Sequence, residues 1–257
     1  MTLIAEYRQQ YQYRNWERIF AALPDIDGQR LLDLGCGIGD QAAALASRGA
    51  HVLGVDANEE LLLEAERRRL ERCEFRLLNL AESLDLEFVF DGIWCSFVAA
   101  YFPNLTEQLV RWKKYLRPGG WIALTEIDDL FGHEPLTSRS RALLDSYADD
   151  SLHAGRYDFR MGRKLRHHVE AADFEIISEF SVDDAEFSFA GPVREDVLRG
   201  WQNRFTRMKL LQAHCGAEFD QVRDEFLACL GRSDHFSRTK VSCVVAKNHV
   251  DAAAQKT

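Results

Sequence analysis

Three glycines at alternate positions close a short apolar segment near the start of the chain, in the letters LLDLGCGIGD. Gly35, Gly37 and Gly39 allow the backbone to turn tightly and to approach a ligand closely before a helix begins. The dinucleotide-binding fingerprint requires a further glycine at the position of Asp40, and Asp33 and Asp40 would both repel a pyrophosphate. The loop therefore favours a ligand that carries positive charge over one that carries phosphates.

Short apolar strands alternate with amphipathic helices along the first half of the chain. Strands that are apolar on both faces are typical of a parallel sheet with helices on both sides. The predicted strands are residues 30–34, 51–56, 75–78, 89–95 and 121–126, and the predicted helices between them are 41–48, 58–69 and 105–116. The second half is less regular, with strand candidates at 174–180 and 241–246. The pattern predicts a doubly wound α/β fold.

Composition excludes several classes of protein. The formal net charge is -9, with 32 Lys and Arg against 41 Asp and Glu, whereas a general nucleic-acid binder needs a positive field. No apolar run approaches the ~18 residues of a membrane span, and the first residues are too polar for a signal peptide. The six cysteines are scattered without a C-x-x-C pair, and His167 and His168 have no third ligand nearby. We therefore expect a cytoplasmic protein without metal, nucleic acid or membrane partner.

Four motifs carry a resemblance to a known family. LDLGCGIGD, VLGVDAN, FDGIWCSF and LRPGGWIALTE occur in the order and at the spacing of the class I S-adenosylmethionine (SAM)-dependent methyltransferases. The chain resembles that family over residues 29–127 and more loosely at 174–180 and 241–247. It looks most like the small-molecule group around the ubiquinone-biosynthesis enzymes. The resemblance implies a Rossmann-like, mostly parallel seven-stranded sheet with an antiparallel last strand.

The resemblance also implies the domain organisation. We expect a single domain over residues 1–248, followed by a disordered tail at 249–257. Within the domain, residues 29–127 would form the cofactor-binding core, and helical insertions at 128–160 and 183–239 would cover the substrate.

The family's pattern implies a SAM site built from twelve positions. Asp33 would face the methionine amino group, and Asp56 would accept hydrogen bonds from the ribose hydroxyls. Tyr11 and Arg14 share one face of a predicted N-terminal helix, which either reaches the cofactor or docks only for stability. The twelve positions are Tyr11, Arg14, Asp33, Gly35, Cys36, Gly37, Gly39, Asp56, Ala57, Asn79, Leu80 and Cys95.

Methyl transfer is an in-line displacement, so the main task of the protein is to align the reacting atoms in a dry site. A base is needed only where the acceptor arrives protonated. His133, just past the fifth strand, is the candidate base, because an imidazole of pKa ~6.5 can take a proton at neutral pH. An idle loop histidine is the alternative. Asp128 and Asp129 would either bind a cationic amine or belong to a solvated loop.

The acceptor is predicted by exclusion to be a small molecule, methylated at O, N or C. After the fourth strand the chain has CSFV, not the (Asp/Asn/Ser)-Pro-Pro-(Tyr/Phe) loop of methyltransferases that act on nucleobase amines. Trp201, Phe205 and Met208 lie at helical spacing and either pack the second insertion or contact the acceptor. A protein or peptide methyltransferase and a SAM-binding regulatory protein stay open as alternatives, and the sequence leaves a homodimer open.

Overall fold

The computed structural model describes residues 2–249, whose strands form a central sheet of seven and a separate pair of short strands. In chain order the strands are β1 (Arg30–Leu34), β2 (His51–Asp56), β3 (Cys73–Leu77), β4 (Phe90–Ser96), β5 (Leu116–Asp128), β6 (His133–Glu134), β7 (Phe174–Val182), β8 (Phe236–Ser237) and β9 (Lys240–Asn248).

The order of the central sheet is β3-β2-β1-β4-β5-β9-β7. Strands β1 to β5 run parallel to one another, whereas β9 is antiparallel to both β5 and β7. This arrangement confirms the predicted doubly wound, mostly parallel sheet of seven strands with an antiparallel last strand. Because the strand order reverses between β1 and β4, the crevice beyond their carboxyl ends is where such a sheet binds its ligand.

Ten α-helices lie within the described residues. They are α1 (Leu3–Tyr11), α2 (Trp16–Phe20), α3 (Asp40–Ala46), α4 (Glu59–Arg67), α5 (Leu105–Lys113), α6 (Ser138–His153), α7 (Leu165–Ala171), α8 (Glu195–Arg207), α9 (Lys209–Cys215) and α10 (Phe219–Leu230). Helix α4 shows how the sequence fixes a start, because the Asn58 side chain accepts a hydrogen bond from the Leu61 amide at 3.2 Å. Glu59 and Glu60 in its first turn complement the positive end of the helix dipole.

Alternate residues of the central strands enter two separate cores. Leu31 and Ala123 belong to the core on one face of the sheet, and Leu32 and Ile122 belong to the core on the other. All four are almost completely buried. The helices therefore cover both faces, which explains why the strands are apolar at successive positions.

Helices α6, α8 and α9 pack around α10, and we call residues 128–160 and 183–239, which contain them, the lid. Trp201 and Phe205 of α8 are completely buried against Phe226 of α10, with ring centroids 4.9 and 5.1 Å from that of Phe226. The aromatic stripe of α8 thus packs the interior of the lid.

The N-terminal segment differs from the prediction. Helix α1 ends at Tyr11 and α2 begins at Trp16, so Tyr11 and Arg14 do not share a helical face. Arg14 instead forms an isolated antiparallel bridge with Asp184. Helical spacing failed here because the backbone partner of this segment lies in the lid, far along the chain.

Apart from the exposed His249, the tail for which we expect disorder lies outside the described residues. Among the described helices, none is both long enough and apolar enough to cross a lipid bilayer.

Candidate active site

The glycine loop, residues 35–39, joins β1 to α3 in a conformation that side chains would disturb. Gly35, Gly37 and Gly39 have φ angles of 74°, 54° and 78°, in the left-handed region that favours glycine. A Cβ atom at Gly35 would lie 2.3 Å from Val98 Cγ2, and one at Gly37 would lie 3.1 Å from the Tyr7 ring. The loop therefore needs glycine both for its backbone and for its close neighbours.

The backbone amides of the loop are largely used inside the protein. The Gly35 and Cys36 amides both donate to the Val55 carbonyl, at 2.8 and 3.0 Å. The Gly37 amide donates to Asp56 Oδ2 at 2.8 Å. The loop thus contributes a rigid shape more than a set of free donors.

Asp56 connects the loop to the start of α4. Its Oδ1 accepts from the Asn58 amide at 2.9 Å, while its Oδ2 holds the Gly37 amide. Each carboxylate oxygen has a second lone pair, so Asp56 can also accept hydrogen bonds from a ligand. It lines a cavity at this edge of the sheet, together with Ala57.

Two buried polar atoms beside the loop indicate whether the charges of SAM fit this site. Asp33 Oδ2 and Ser96 Oγ have no hydrogen-bond partner within residues 2–249. Burial, together with the nearby charge of Asp56, raises the pKa of Asp33 to about 8. A ligand with an ammonium and a sulfonium group would supply positive charge beside Asp33 and Asp56, so these residues fit SAM.

The cavity has a volume of about 960 Å³ and extends from the glycine loop to the lid. Most of the predicted SAM-site residues line it: Tyr11, Arg14, Gly35, Cys36, Gly37, Asp56, Ala57, Asn79 and Leu80. Asp33, Gly39 and Cys95 do not line it. Asp33 and Cys95 are buried within their strands, and Gly39 is the N-cap of α3.

Asn79 belongs to a turn at the edge of the cavity. Its Oδ1 accepts from the Ala81 amide at 3.1 Å, and its Nδ2 donates to Glu82 Oε1 at 2.8 Å. The side chain is therefore already held by its own turn, where the family's pattern would have it near the adenine.

Arg14 reaches the cavity from the segment between α1 and α2. Its Nη2 donates to Glu186 Oε2 at 2.9 Å, and its Nε lies 3.1 Å from Asp184 Oδ2. Its guanidinium carbon lies 4.4 Å from the centroid of the Phe97 ring. Since all three side chains of this ion-paired group are at most 5% exposed, Arg14 is a fixed part of the cavity wall.

His133 is placed differently from the prediction. It lies in β6, is completely buried, and does not line the cavity. Its Nδ1 is 3.0 Å from His235 Nε2, and Trp201 and Phe226 pack around it at centroid distances of 5.3 and 5.4 Å. Burial holds its pKa well below the ordinary value. The sequence suggested a loop histidine at the ligand-binding edge, but the chain after β5 turns into the lid.

The two acids before this segment are paired with arginines. Asp128 Oδ1 accepts from Arg163 Nε at 2.5 Å, and Asp129 Oδ2 lies 3.8 Å from Arg238. Neither acid lines the cavity, so the suggested site for a cationic amine is not formed there. Within residues 2–249, no group of three or more His, Cys, Asp or Glu side chains is placed to hold a metal ion.

Several cavity residues are absent from the prediction. Tyr7 sits one helical turn before Tyr11 on α1, so a shared face was a usable signal. The lid residues carry no such signal, because nothing local in the sequence shows that α8 meets the N-terminus. The residues that the prediction missed include Tyr7, Tyr101, Tyr157, Phe187, Arg204 and Arg207.

Comparison with known proteins agrees with this geometry. A family model described as a methyltransferase domain matches residues 4–179. The ubiquinone biosynthesis O-methyltransferase of Leptothrix cholodnii is 34% identical over 120 residues, which are 44% of this chain and 50% of that protein. The demethylmenaquinone methyltransferase of Clavibacter sepedonicus is 38% identical over 111 residues, 41% of this chain and 44% of that protein. The chain thus spans about half the length of the curated relatives it matches.

Solved structures show the same fold. A SAM-dependent methyltransferase from Mesorhizobium loti superposes with a TM-score of 0.55 at 20% identity, over 90% of this chain and 96% of that one. The family model covers the glycine loop, Asp56 and the strands that carry them, up to β7. The chain therefore belongs to the class I SAM-dependent methyltransferases.

Proposed function

We propose that this protein transfers the methyl group of SAM to a small organic acceptor that binds in the same cavity. The observation that carries the proposal is the cavity itself, which joins the glycine loop to Tyr157, Phe187 and Arg204 of the lid. Its volume of about 960 Å³ is at the upper end of the range of roughly 300–1,000 Å³ for ligand pockets. This size favours a cofactor and a small acceptor together over a cofactor alone.

The glycine-loop end would hold the cofactor. Bound SAM would supply an electrophilic methyl group on a positively charged sulfur. Asp56 would bind the ribose hydroxyls, and Ala57 and Leu80 would border the adenine. The carboxylates of Asp40 and Asp56, which line the cavity, favour the cationic groups of such a ligand.

The lid end would hold the acceptor. Phe97 and Phe187, with Tyr101 and Tyr157, provide aromatic walls that limit the access of water and the motion of a bound molecule. We propose that the insertions at 128–160 and 183–239 cover the acceptor. Their four contributions to the cavity, Tyr157, Phe187, Arg204 and Arg207, support this role.

Titration calorimetry with SAM and S-adenosylhomocysteine (SAH) tests the cofactor assignment. We expect both to bind, and we expect Asp56→Ala to weaken binding by about 10- to 100-fold, because the ribose loses a charged acceptor. Asp85→Ala, which removes an exposed acid outside the cavity, is the matched control and should leave affinity unchanged. Absence of binding at high micromolar concentration, or parental affinity in Asp56→Ala, would contradict the assignment.

Labelled SAM added to the protein and a metabolite extract tests the acceptor class. A small labelled product, identified by mass spectrometry, is the expected result. A label found on protein would favour a protein or peptide methyltransferase. Tight SAM binding with no labelled product from either source would favour a regulatory SAM-binding protein.

We also propose that the protein acts in the cytoplasm, without nucleic acid or membrane as partner. All six cysteines are free, which suits a reducing compartment. The net charge of -9 disfavours association with nucleic acid. Light scattering during size-exclusion chromatography would establish whether the chain forms the homodimer that its sequence leaves open.

A further inference from the structure

We propose that the acceptor is an organic acid and that its carboxylate binds Arg204. This inference rests on the proposed function, and it names the class of acceptor for the same cavity. It starts from the distribution of charge along the cavity wall. At the glycine-loop end the charged residues of the wall are all acidic: Asp40, Asp56, Glu59 and Glu60.

The lid end of the wall has the opposite character. The basic residues of the wall are Arg14, Arg204 and Arg207, of which the last two belong to the lid, and Glu6 of α1 pairs with Arg207. A cationic ligand is thus favoured at one end, and an anionic ligand at the other.

Arg204 has hydrogen-bond donors that the protein does not use. Its Nη2 donates to Glu186 Oε1, but its Nε is buried and has no partner among the described residues. The rings of Trp201 and Phe187 hold the guanidinium in place, with centroids 4.9 and 5.1 Å from its carbon. A buried N–H without an acceptor is unfavourable, so a ligand oxygen at this point would satisfy it.

The charge balance of the arginines limits how much negative charge a ligand can add beside Arg204. Arg14 pairs with Asp184 and Glu186, Arg204 also pairs with Glu186, and Arg207 pairs with Glu6. Three arginines therefore share three carboxylates. One further carboxylate in contact with Arg204 is a smaller electrostatic burden than a dianionic phosphate.

The wall also lacks an ordinary base. None of the described residues that line the cavity is a histidine or a lysine. Among its tyrosines, burial raises the pKa of Tyr7 to about 12. A carboxylate is already ionised at neutral pH, since its acid has a pKa of ~4. One of its oxygens would form the new O–C bond to the methyl group as the S–C bond of SAM breaks, which leaves SAH and a methyl ester with no proton to remove. An acceptor of this class matches the wall as it is built.

Three aromatic probes that differ in charge test the inference. Benzoate, its neutral isostere benzamide, and phenyl phosphate are titrated into the full chain saturated with SAH, and affinity is measured by calorimetry. We expect benzoate to bind about tenfold or more tighter than benzamide, and phenyl phosphate to bind no tighter than benzoate. Equal affinity for benzoate and benzamide, or a preference for phenyl phosphate, would overturn the inference.

Variants assign the preference to one side chain. Arg204→Met should abolish the preference for benzoate, whereas Arg199→Met, the same change at an exposed position of α8, should retain it. Arg204→Lys keeps a positive charge beside Glu186 and therefore protects the fold, but it lacks the Nε–H donor and should lose most of the preference. A preference that persists in both Arg204 variants would contradict the assignment.

The same measurements separate this inference from the proposed function. If SAH itself does not bind, the proposed function fails. If SAH binds with the expected affinity but benzoate has no advantage over benzamide, only the acceptor class is wrong.

Discussion

The two ends of the cavity are built in different ways. At the glycine-loop end, backbone amides donate to carbonyl and carboxylate oxygens of the neighbouring strand, as in the hydrogen bond from the Gly37 amide to Asp56 Oδ2. At the lid end, buried charges join distant parts of the chain, as in the pairs of Arg14 with Asp184 and of Arg207 with Glu6. The first end depends on shape, and the second depends on complementary charge.

The largest effect on the free energy of unfolding is expected for a substitution that breaks the charge pairing at the lid end. Arg14→Met would leave Asp184, which is buried, without its cation. Since an uncompensated buried charge is strongly unfavourable, we expect the free energy of unfolding to fall by about 3–5 kcal/mol. Chemical denaturation followed by tryptophan fluorescence measures it. Arg199→Met, which removes an exposed partner of Glu195, should have little effect. A similar loss in both variants would show that burial of the pair is not the cause.

A somewhat smaller loss of stability is expected for a substitution that disturbs the shape of the glycine loop. Gly35→Ala would place Cβ 2.3 Å from Val98 Cγ2 at a φ of +74°, and we expect a loss of about 2–4 kcal/mol together with weaker SAH binding. Gly200→Ala in the lid is the contrasting change, because its Cβ would meet nothing within 4 Å in a helix. It should stabilise the protein by about 0.5–1 kcal/mol. An equal change in the free energy of unfolding for Gly35→Ala and Gly200→Ala would contradict this difference between the two ends.

Two further effects concern pH, and they have opposite signs at His133 in the lid and at Asp33 in β1. Burial holds the pKa of His133 below its ordinary value, so the stability that its neutral ring supports is complete above pH ~6.5. That stability is lost as the pH falls further, because only the unfolded chain takes up the proton. Asp33, with a pKa raised to about 8, keeps its proton when folded, so stability falls as the pH rises from ~4 towards 8.

Denaturation at pH 5.5 and pH 7.5 compares the two groups. His133→Phe should reduce any gain in the free energy of unfolding between these pH values by about 1 kcal/mol, whereas Asp33→Asn should increase it. The other titrating groups are common to both variants and to the parent protein. A change of the same sign in both variants would contradict the placement of one of these residues.

The sequence predicted the sheet and the tight turn of the glycine loop well, for a physical reason. Strand periodicity and glycine spacing are local properties, and Gly37 and Asp56 are brought together by two strands that are neighbours in the sheet. The start of α4 could be predicted from Asn58 alone, because its side chain is a favoured helix N-cap.

The lid end was not predictable in the same way. Arg14 lines the cavity, but the prediction put it on a helix that in fact ends at Tyr11. Its true partners, Asp184 and Glu186, are brought to it by tertiary packing, which no local pattern encodes. His133 failed for the related reason that its surroundings come from α8, α10 and His235.

The position of β9 has a consequence for the order in which the chain can assemble. During synthesis β7 emerges before the second insertion, yet its hydrogen-bonding partner β9 emerges after it. Until then β7 has no neighbour in the sheet, and the edge of β5 is open to incorrect pairing. The gap between β5 and β7 closes only when β9 pairs with strands that lie far from it in the sequence, and such long-range contacts form slowly. We therefore expect the nascent protein to depend on protection of this edge until residue 240 and the strand that follows it are available.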